Sequence, residues 1–232
     1  MLLIDNREIK LAIFDMDGLL LDSEKINREM WIKTAKMLGY EMTFEQWFGL
    51  LGTNEESEKQ YLYNLYGSDC PAEKFRSVRM KLIGEYAEEF GIPVKKGAKE
   101  LLEFFKENGV SCVVATSSVR ARAEKFLEKA GLLGYFDSLT CGDEVKLGKP
   151  DPELFEKAAK KAEIEAEKCV VFEDSENGII AASRAKMIPV CVPDLQPSTQ
   201  TVKKLAIIIE SLDKFTEITK KILLNHGTFK SI

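Results

Sequence analysis

Short apolar runs rich in β-branched residues recur along this chain with amphipathic stretches between them, and that alternation limits the folds open to it more than any other feature. The runs are Leu11 to Phe14, Val110 to Ala115, Cys169 to Phe172, Ile188 to Val192 and Leu205 to Ile209, with a weaker one at Ser138 to Cys141. Each has the length and composition of a buried strand. Ala98 to Glu107, Arg120 to Lys129, Pro152 to Ala162 and Asn177 to Ala185 carry apolar residues at helical spacing. Strands alternating with helices imply an α/β fold in which a doubly wound parallel sheet is covered on both faces.

The first two runs are set far apart. The stretch between them holds no convincing strand and reads as helices at Ser23 to Met37, Phe44 to Phe48, Glu55 to Tyr66 and Ala72 to Phe90. An inserted helical domain accounts for it. Asp22-Ser23 caps the first of these helices, and Gly91-Ile-Pro-Val94 followed by Gly97 stops the last. The expected division is therefore a core of residues 1–21 and 96–232 with a helical insertion at 22–95. Asp213 to Asn225 reads as a closing amphipathic helix.

Composition narrows the partners. Of 232 residues, 45% are hydrophobic and 31% charged, a globular balance, and the formal charge of −5 is spread without a basic stripe. A nucleic-acid groove or an anionic membrane is therefore not expected as a partner, and a small diffusible molecule is. No apolar stretch approaches the roughly 18 residues of a membrane span, and Met1 to Lys10 lacks the apolar segment of a secretory signal, so a cytoplasmic location is expected. With no apolar stripe left over once the core is assigned, a monomer is expected too. Cys70, Cys112, Cys141, Cys169 and Cys191 show no CxxC spacing and read as small buried hydrophobes kept reduced. His226, near the C-terminus, is the one histidine, so chemistry built on a central imidazole is not expected.

Four elements at the ends of apolar runs carry the chemical signal. The first run leads into Asp15-Met16-Asp17-Gly18, two carboxylates and a glycine at the carboxyl end of a buried strand, the edge where ligands bind in open α/β sheets. An EF-hand fails here because its glycine and its final glutamate are out of place. The second run ends in Thr116-Ser117-Ser118, hydroxyls and amides that suit an oxyanion but also serve as an ordinary helix cap. Gly148-Lys149-Pro150 offers a lysine before a proline-started helix, where a solvated side chain is the plain alternative. Another run ends in Glu173-Asp174-Ser175, two acids that are costly after an apolar strand unless a cation meets them, although Asp174 or Ser175 could simply cap the next helix. A parallel sheet brings all four ends to one rim. Asp15, Asp17 and Asp174 would repel one another there unless a hard dication held them ionised, and oxygen ligands without Cys or His indicate Mg²⁺.

In their order and chemistry these four motifs resemble those of the haloacid dehalogenase superfamily, in particular its β-phosphoglucomutase-like phosphatases with a helical cap inserted after the first strand. The resemblance covers about residues 10 to 225 and includes the longer string Asp15-Met-Asp17-Gly-Leu-Leu-Leu-Asp22-Ser-Glu24. It implies a Rossmann-like core and a phosphatase acting on a small phosphorylated metabolite. By it, Asp15 would attack phosphorus to form an aspartyl-phosphate, and Asp17 would protonate the leaving oxygen and then activate water. Thr116 would hold a phosphoryl oxygen, and Lys149 would offset charge on phosphate and on Asp15. Asp15, the backbone carbonyl of Asp17 and Asp174, with Glu173 as a further candidate, would hold Mg²⁺. Gly52 and Thr53 join Thr116, Ser117, Ser118 and Lys149 as candidates for contacting substrate.

A sugar phosphomutase is the competing reaction within the same family. Where such mutases carry a lysine, an arginine and a histidine, this chain aligns Leu51, Glu55 and Asn27, and a glutamate would repel a second phosphate. Hydrolysis is therefore the expected outcome. Lys25, Lys33 and Arg120 are the cations that could substitute, while Trp31, Trp47 and Phe48 are expected to pack. A non-catalytic binding module is the alternative from another class, and the joint presence of Asp15, Asp17, Thr116, Lys149 and Asp174 speaks against it.

Overall fold

The computed structural model describes residues 2–4, 6–50, 55–195 and 197–224. The chain divides into two compact units, Met1–Asp22 with Pro93–Ile232, and Ser23–Ile92.

The first unit opens with a hairpin of β1 (Leu2–Ile4) and β2 (Arg7–Ile9), followed by β3 (Leu11–Phe14). The sequence pattern gave no sign of that hairpin. Its strands have three residues each, too few to display alternation, and they are joined through Asn6 at φ 60°. After α5 (Ala98–Glu107) come β4 (Ser111–Thr116), α6 (Arg120–Lys129), β5 (Ser138–Cys141), α7 (Glu153–Lys161), β6 (Cys169–Glu173), α8 (Glu176–Arg184) and β7 (Ile188–Cys191). The run ends with α9 (Gln200–Leu205), β8 (Ile207–Ile208) and α10 (Leu212–Leu224). The expected fifth strand is shorter than its apolar run, because Leu205 still belongs to α9, capped by the Thr199 side chain.

The six strands β5-β4-β3-β6-β7-β8 form one sheet, parallel throughout. The chain builds outward from β3 through β4 to β5, then returns to lay β6 on the other side of β3 and builds outward again. The switch point of this doubly wound sheet thus lies between β3 and β6. All four residues of β3 are buried, as a strand covered on both faces requires. On one face Phe14 stacks on Phe172, their centroids 5.0 Å apart, with Phe105 and Phe215 against them. On the other, Leu11, Ile13 and Val171 pack with Leu154, Phe155 and Ala158 of α7 and Ala181 and Ala182 of α8. Packing from both sides fixes the height at which β3 ends, and therefore where Asp15 begins.

The first unit is also stitched where the inserted segment leaves and returns. The Asp22 amide donates to the Pro93 carbonyl at 2.8 Å, the Lys95 amide to the Leu20 carbonyl at 2.9 Å, and Leu21 bridges Val94. The Lys95 ammonium meets the carboxylates of Asp22 and Asp194.

The second unit consists of α1 (Ser23–Met37), α2 (Phe44–Phe48), α3 (Glu55–Tyr66) and α4 (Ala72–Phe90). Trp31 and Trp47 are buried, as the packing reading required. Beside Trp31 lies a shielded ion pair. Arg79 of α4 donates through Nη2 to both carboxylate oxygens of Glu58 on α3, at 3.2 and 2.9 Å, and its guanidinium sits 4.0 Å over the Trp31 ring. Its Nη1 donates to Asn27 Oδ1 at 3.4 Å, so three helices share one charged contact. The two side chains are only 10% and 12% exposed, and removing one partner strands the other in a poorly solvated place. Glu58→Ala is expected to destabilise the protein by about 3 kcal/mol in urea denaturation. A loss below about 1 kcal/mol would show the pair to be solvated after all.

All five cysteines are buried, and none is in a disulfide. No helix among the described residues is long and apolar enough to cross a membrane.

Candidate active site

Asp15 follows β3 directly, and its amide donates to the Phe172 carbonyl at 3.0 Å, which holds it level with the end of β6. Phe14 and Phe172 are register partners, so Asp15 and Glu173 emerge side by side at the switch point. Lys149, from the loop before α7, places its ammonium between them, 2.5 Å from Asp15 Oδ1 and in contact with Glu173 Oε1. All three side chains are almost closed to solvent. Burial pushes the Asp15 carboxyl up to about 7, since the opposing pull of Lys149 is partly undone by the nearby charges of Glu173 and Asp17. Burial opposes the charge on Lys149 as well, but the Asp15 and Glu173 carboxylates win and raise its pKa.

Glu173 is fully buried, and its other oxygen accepts from the amide and hydroxyl of Ser175. Room for that carboxylate comes from Gly178 on α8, where a Cβ would stand 2.0 Å from Glu173 Cδ. Gly18 does the same for Asp174. At φ +83°, it would bring a Cβ to 2.2 Å from Asp174 Oδ2, so that carboxylate lies directly against the Asp15–Gly18 turn. Thr116 ends β4 fully buried, and its Oγ1 accepts from the Ser118 amide at 3.1 Å, while Ser117 is exposed. The Ser118 hydroxyl donates to Asp17 Oδ2 at 2.8 Å.

The structure thus gathers Asp15, Lys149 and Glu173 in one ion-pair cluster and joins Asp17 to Ser118. It sets Asp174 against the same turn and puts Thr116 at the neighbouring strand end. Gly52 and Thr53 lie outside the described residues, as do Leu51 and His226. Among the described residues no three or more acid, His or Cys side chains converge as a ready-made metal cage. Three of the four acids proposed as metal ligands also have other partners for their carboxylates: Asp15 has Lys149, Glu173 has Lys149 and Ser175, and Asp17 has Ser118 and Arg122. Arg120 is not open to a distal phosphate, for its guanidinium donates to Glu124, to Glu144 and to the Leu139 carbonyl.

Arg122 went unnoticed in the sequence. Its Nη2 donates to Asp17 Oδ1 at 2.9 Å and its Nη1 to the Ser118 hydroxyl at 2.7 Å. A signal was present: Arg122 stands in the first turn of a helix that has no acidic residue there, where the helix dipole disfavours a cation unless an anion faces it.

A buried carboxylate, a lysine against one of its oxygens, a second carboxylate two residues on and a strand-end hydroxyl, all at the carboxyl rim of a doubly wound sheet, mark the ligand-binding edge of an α/β enzyme. Residues 9–186 match the family model described as haloacid dehalogenase-like hydrolase, and the chain belongs to that family. Within it the chain is of the β-phosphoglucomutase-like kind. A Thermotoga maritima protein named phosphorylated carbohydrates phosphatase is 28% identical over 93% of this chain and 100% of its own. Hexitol phosphatase B of Escherichia coli K12 is 28% identical over 94% of this chain and 98% of its own. Among solved structures, a Thermotoga maritima protein provisionally described as a β-phosphoglucomutase superposes with a TM-score of 0.76 at 28% identity, covering 92% of this chain and 100% of its own.

Proposed function

We propose that this chain is a Mg²⁺-dependent phosphatase that hydrolyses a small phosphorylated metabolite, a sugar phosphate or close analogue, through an aspartyl-phosphate on Asp15. The observation that carries the reading is the buried Asp15 carboxylate held by Lys149 at the switch point, with Asp17 two residues on in the same turn. The names of the relatives, two of them phosphatases of phosphorylated carbohydrates or hexitols, support the substrate class.

In the first step a carboxylate oxygen of Asp15 attacks phosphorus, the ester P–O bond breaks, and the leaving oxygen takes the proton of Asp17. In the second, Asp17 removes a proton from water, the resulting hydroxide attacks the aspartyl-phosphate, and Asp15 leaves with its carboxylate restored. Inorganic phosphate is released and Asp17 is again protonated. Lys149 and the Thr116 hydroxyl face the phosphoryl oxygens, where fixed donors stabilise the transition state more than the ground state.

The acids fit a hard cation without a full cage. Mg²⁺ is usually held by one or two carboxylates with water and substrate phosphate completing its shell, and Asp15 and Asp174, with the backbone carbonyl of Asp17, make that set. The pKa of the Asp15 carboxyl is raised chiefly by burial, with the charges of Glu173 and Asp17 adding to it, and a cation at the turn would oppose all three. When bound there, Mg²⁺ supplies positive charge that offsets the phosphoryl oxygens and keeps Asp15 ionised. Glu173 serves instead to hold Lys149.

The test is phosphate release from a panel of hexose, pentose and hexitol phosphates, with an Asp15→Asn blank. Activity is expected to fall at least about 100-fold on chelation and to return with Mg²⁺. Gly18→Ala, which pushes Asp174 away, should raise the Mg²⁺ concentration for half-maximal rate by about tenfold or more. The likeness to a structure described as a β-phosphoglucomutase keeps a mutase as the second reading. Rapid conversion of β-glucose 1-phosphate to glucose 6-phosphate with a bisphosphate primer, and negligible phosphate release, would decide for it.

A further inference from the structure

Arg122 and Ser118 form a closed ring with the Asp17 carboxylate. Arg122 Nη2 donates to Oδ1 at 2.9 Å, the Ser118 hydroxyl donates to Oδ2 at 2.8 Å, and Arg122 Nη1 donates to that hydroxyl at 2.7 Å. Both carboxylate oxygens are therefore fixed, one by a cation and one by a hydroxyl that the same cation orients. The guanidinium leans on the Phe126 ring, 4.9 Å from its centroid, one turn further along α6. Arg122 Nε is buried and has no hydrogen-bond partner among the described residues, a penalty that a surface arginine would avoid by turning outward. The placement is kept because the other two nitrogens are engaged.

We infer that Arg122 is a positioning residue for the reaction: acting with Ser118, it sets the Asp17 carboxyl at the angle from which it exchanges a proton with the leaving oxygen and then with water. The inference rests on the phosphatase reading and on Asp17 as its acid and base. An unrestrained aspartate on a loop samples several rotamers, and proton transfer requires one of them. A two-point clamp removes that search. Thr116, Lys149 and Asp15 do not touch the ring through any described hydrogen bond of Arg122, so the substrate's phosphoryl group should bind as well without it.

Leaving-group chemistry isolates this role. An alkyl phosphate expels a strongly basic alkoxide and needs the proton of Asp17 in the first step, whereas p-nitrophenyl phosphate expels a weakly basic phenolate and does not. Because kcat/KM reports the first irreversible step, misplacing Asp17 should lower it for the alkyl ester and spare the aryl one. Arg122→Met keeps the apolar stem over Phe126 and removes the clamp. It is expected to lower kcat/KM for the panel's best alkyl phosphate by about 30-fold or more, through kcat, while changing that for p-nitrophenyl phosphate by less than about threefold. The second step should also slow, so that one equivalent of p-nitrophenolate appears in a burst before a slower steady state. Arg122→Gln should show the same selectivity at smaller size, and Arg122→Lys should recover part of the alkyl activity.

Asp17→Asn separates the two levels of the argument. If it shows the alkyl-selective loss and Arg122→Met does not, the positioning role is refuted and the phosphatase reading stands. An equal loss on both esters in Arg122→Met would make Arg122 a structural residue only and refutes the role as well. If Asp17→Asn is not selective, or the wild type releases phosphate from no ester, the underlying reading fails and this inference with it. A poorly folded Arg122→Met would leave Arg122→Gln and Arg122→Lys to decide by the same ratio.

Discussion

Asp15→Asn should give a folded protein whose phosphate release falls by about 10⁴-fold or more. The substitution keeps the shape of the side chain and removes its charge, so the Phe14–Phe172 stack beneath it and the backbone bond to Phe172 are undisturbed. An amide oxygen is a far weaker nucleophile toward phosphorus than a carboxylate. The measurement is single-turnover phosphate release alongside thermal unfolding. Residual turnover within tenfold of wild type, with unchanged folding, would mean that Asp15 is not the nucleophile.

Lys149 carries the second large effect, in two separable parts. Lys149→Met leaves Asp15 and the fully buried Glu173 facing each other with no cation between them. Stranding buried charges in this way is expected to destabilise the protein by about 3 kcal/mol at neutral pH, and the deficit should shrink as falling pH protonates Asp15, whose pKa is already raised by burial. Turnover should drop by about 10³-fold, the scale seen when one fixed donor is removed from a developing oxyanion. Pairing the change with Glu173→Gln removes the electrostatic conflict. The double variant should regain most of the stability and none of the activity. Activity returning together with stability would make the lysine a structural counter-ion and nothing more.

Much of this architecture was legible in the sequence, for reasons that differ by element. The helices of the second unit begin and end where capping chemistry and helical spacing put them: Thr43 caps α2 in a box with Gln46, and Gly91 closes α4. The strands of the core were visible because parallel strands covered on both faces read as unbroken apolar runs. The rim followed from topology, since Asp15, Thr116 and Glu173 each close such a run. The β1–β2 hairpin and α9 were too short to show a period. What sequence could not show was which side chains pair across long separations. The Arg122 bond to Asp17 spans 105 positions and the Lys149 bond to Asp15 spans 134, and no local pattern encodes either. For the same reason the sequence left Glu173 open as a further metal candidate and could not show that its oxygens bond Lys149 and Ser175.

The stitching at the edge of the first unit has a practical corollary. The chain leaves after Asp22 and resumes at Pro93, two points joined by a direct amide-to-carbonyl bond, with the neighbouring residues bonded to each other as well. Any segment whose own ends lie one hydrogen bond apart can be grafted between them without pulling on the sheet. The helical unit is in that sense a cassette, and a chimaera carrying a foreign insert in place of residues 23–92 should fold with the six-stranded sheet and the Asp15–Lys149 pair intact.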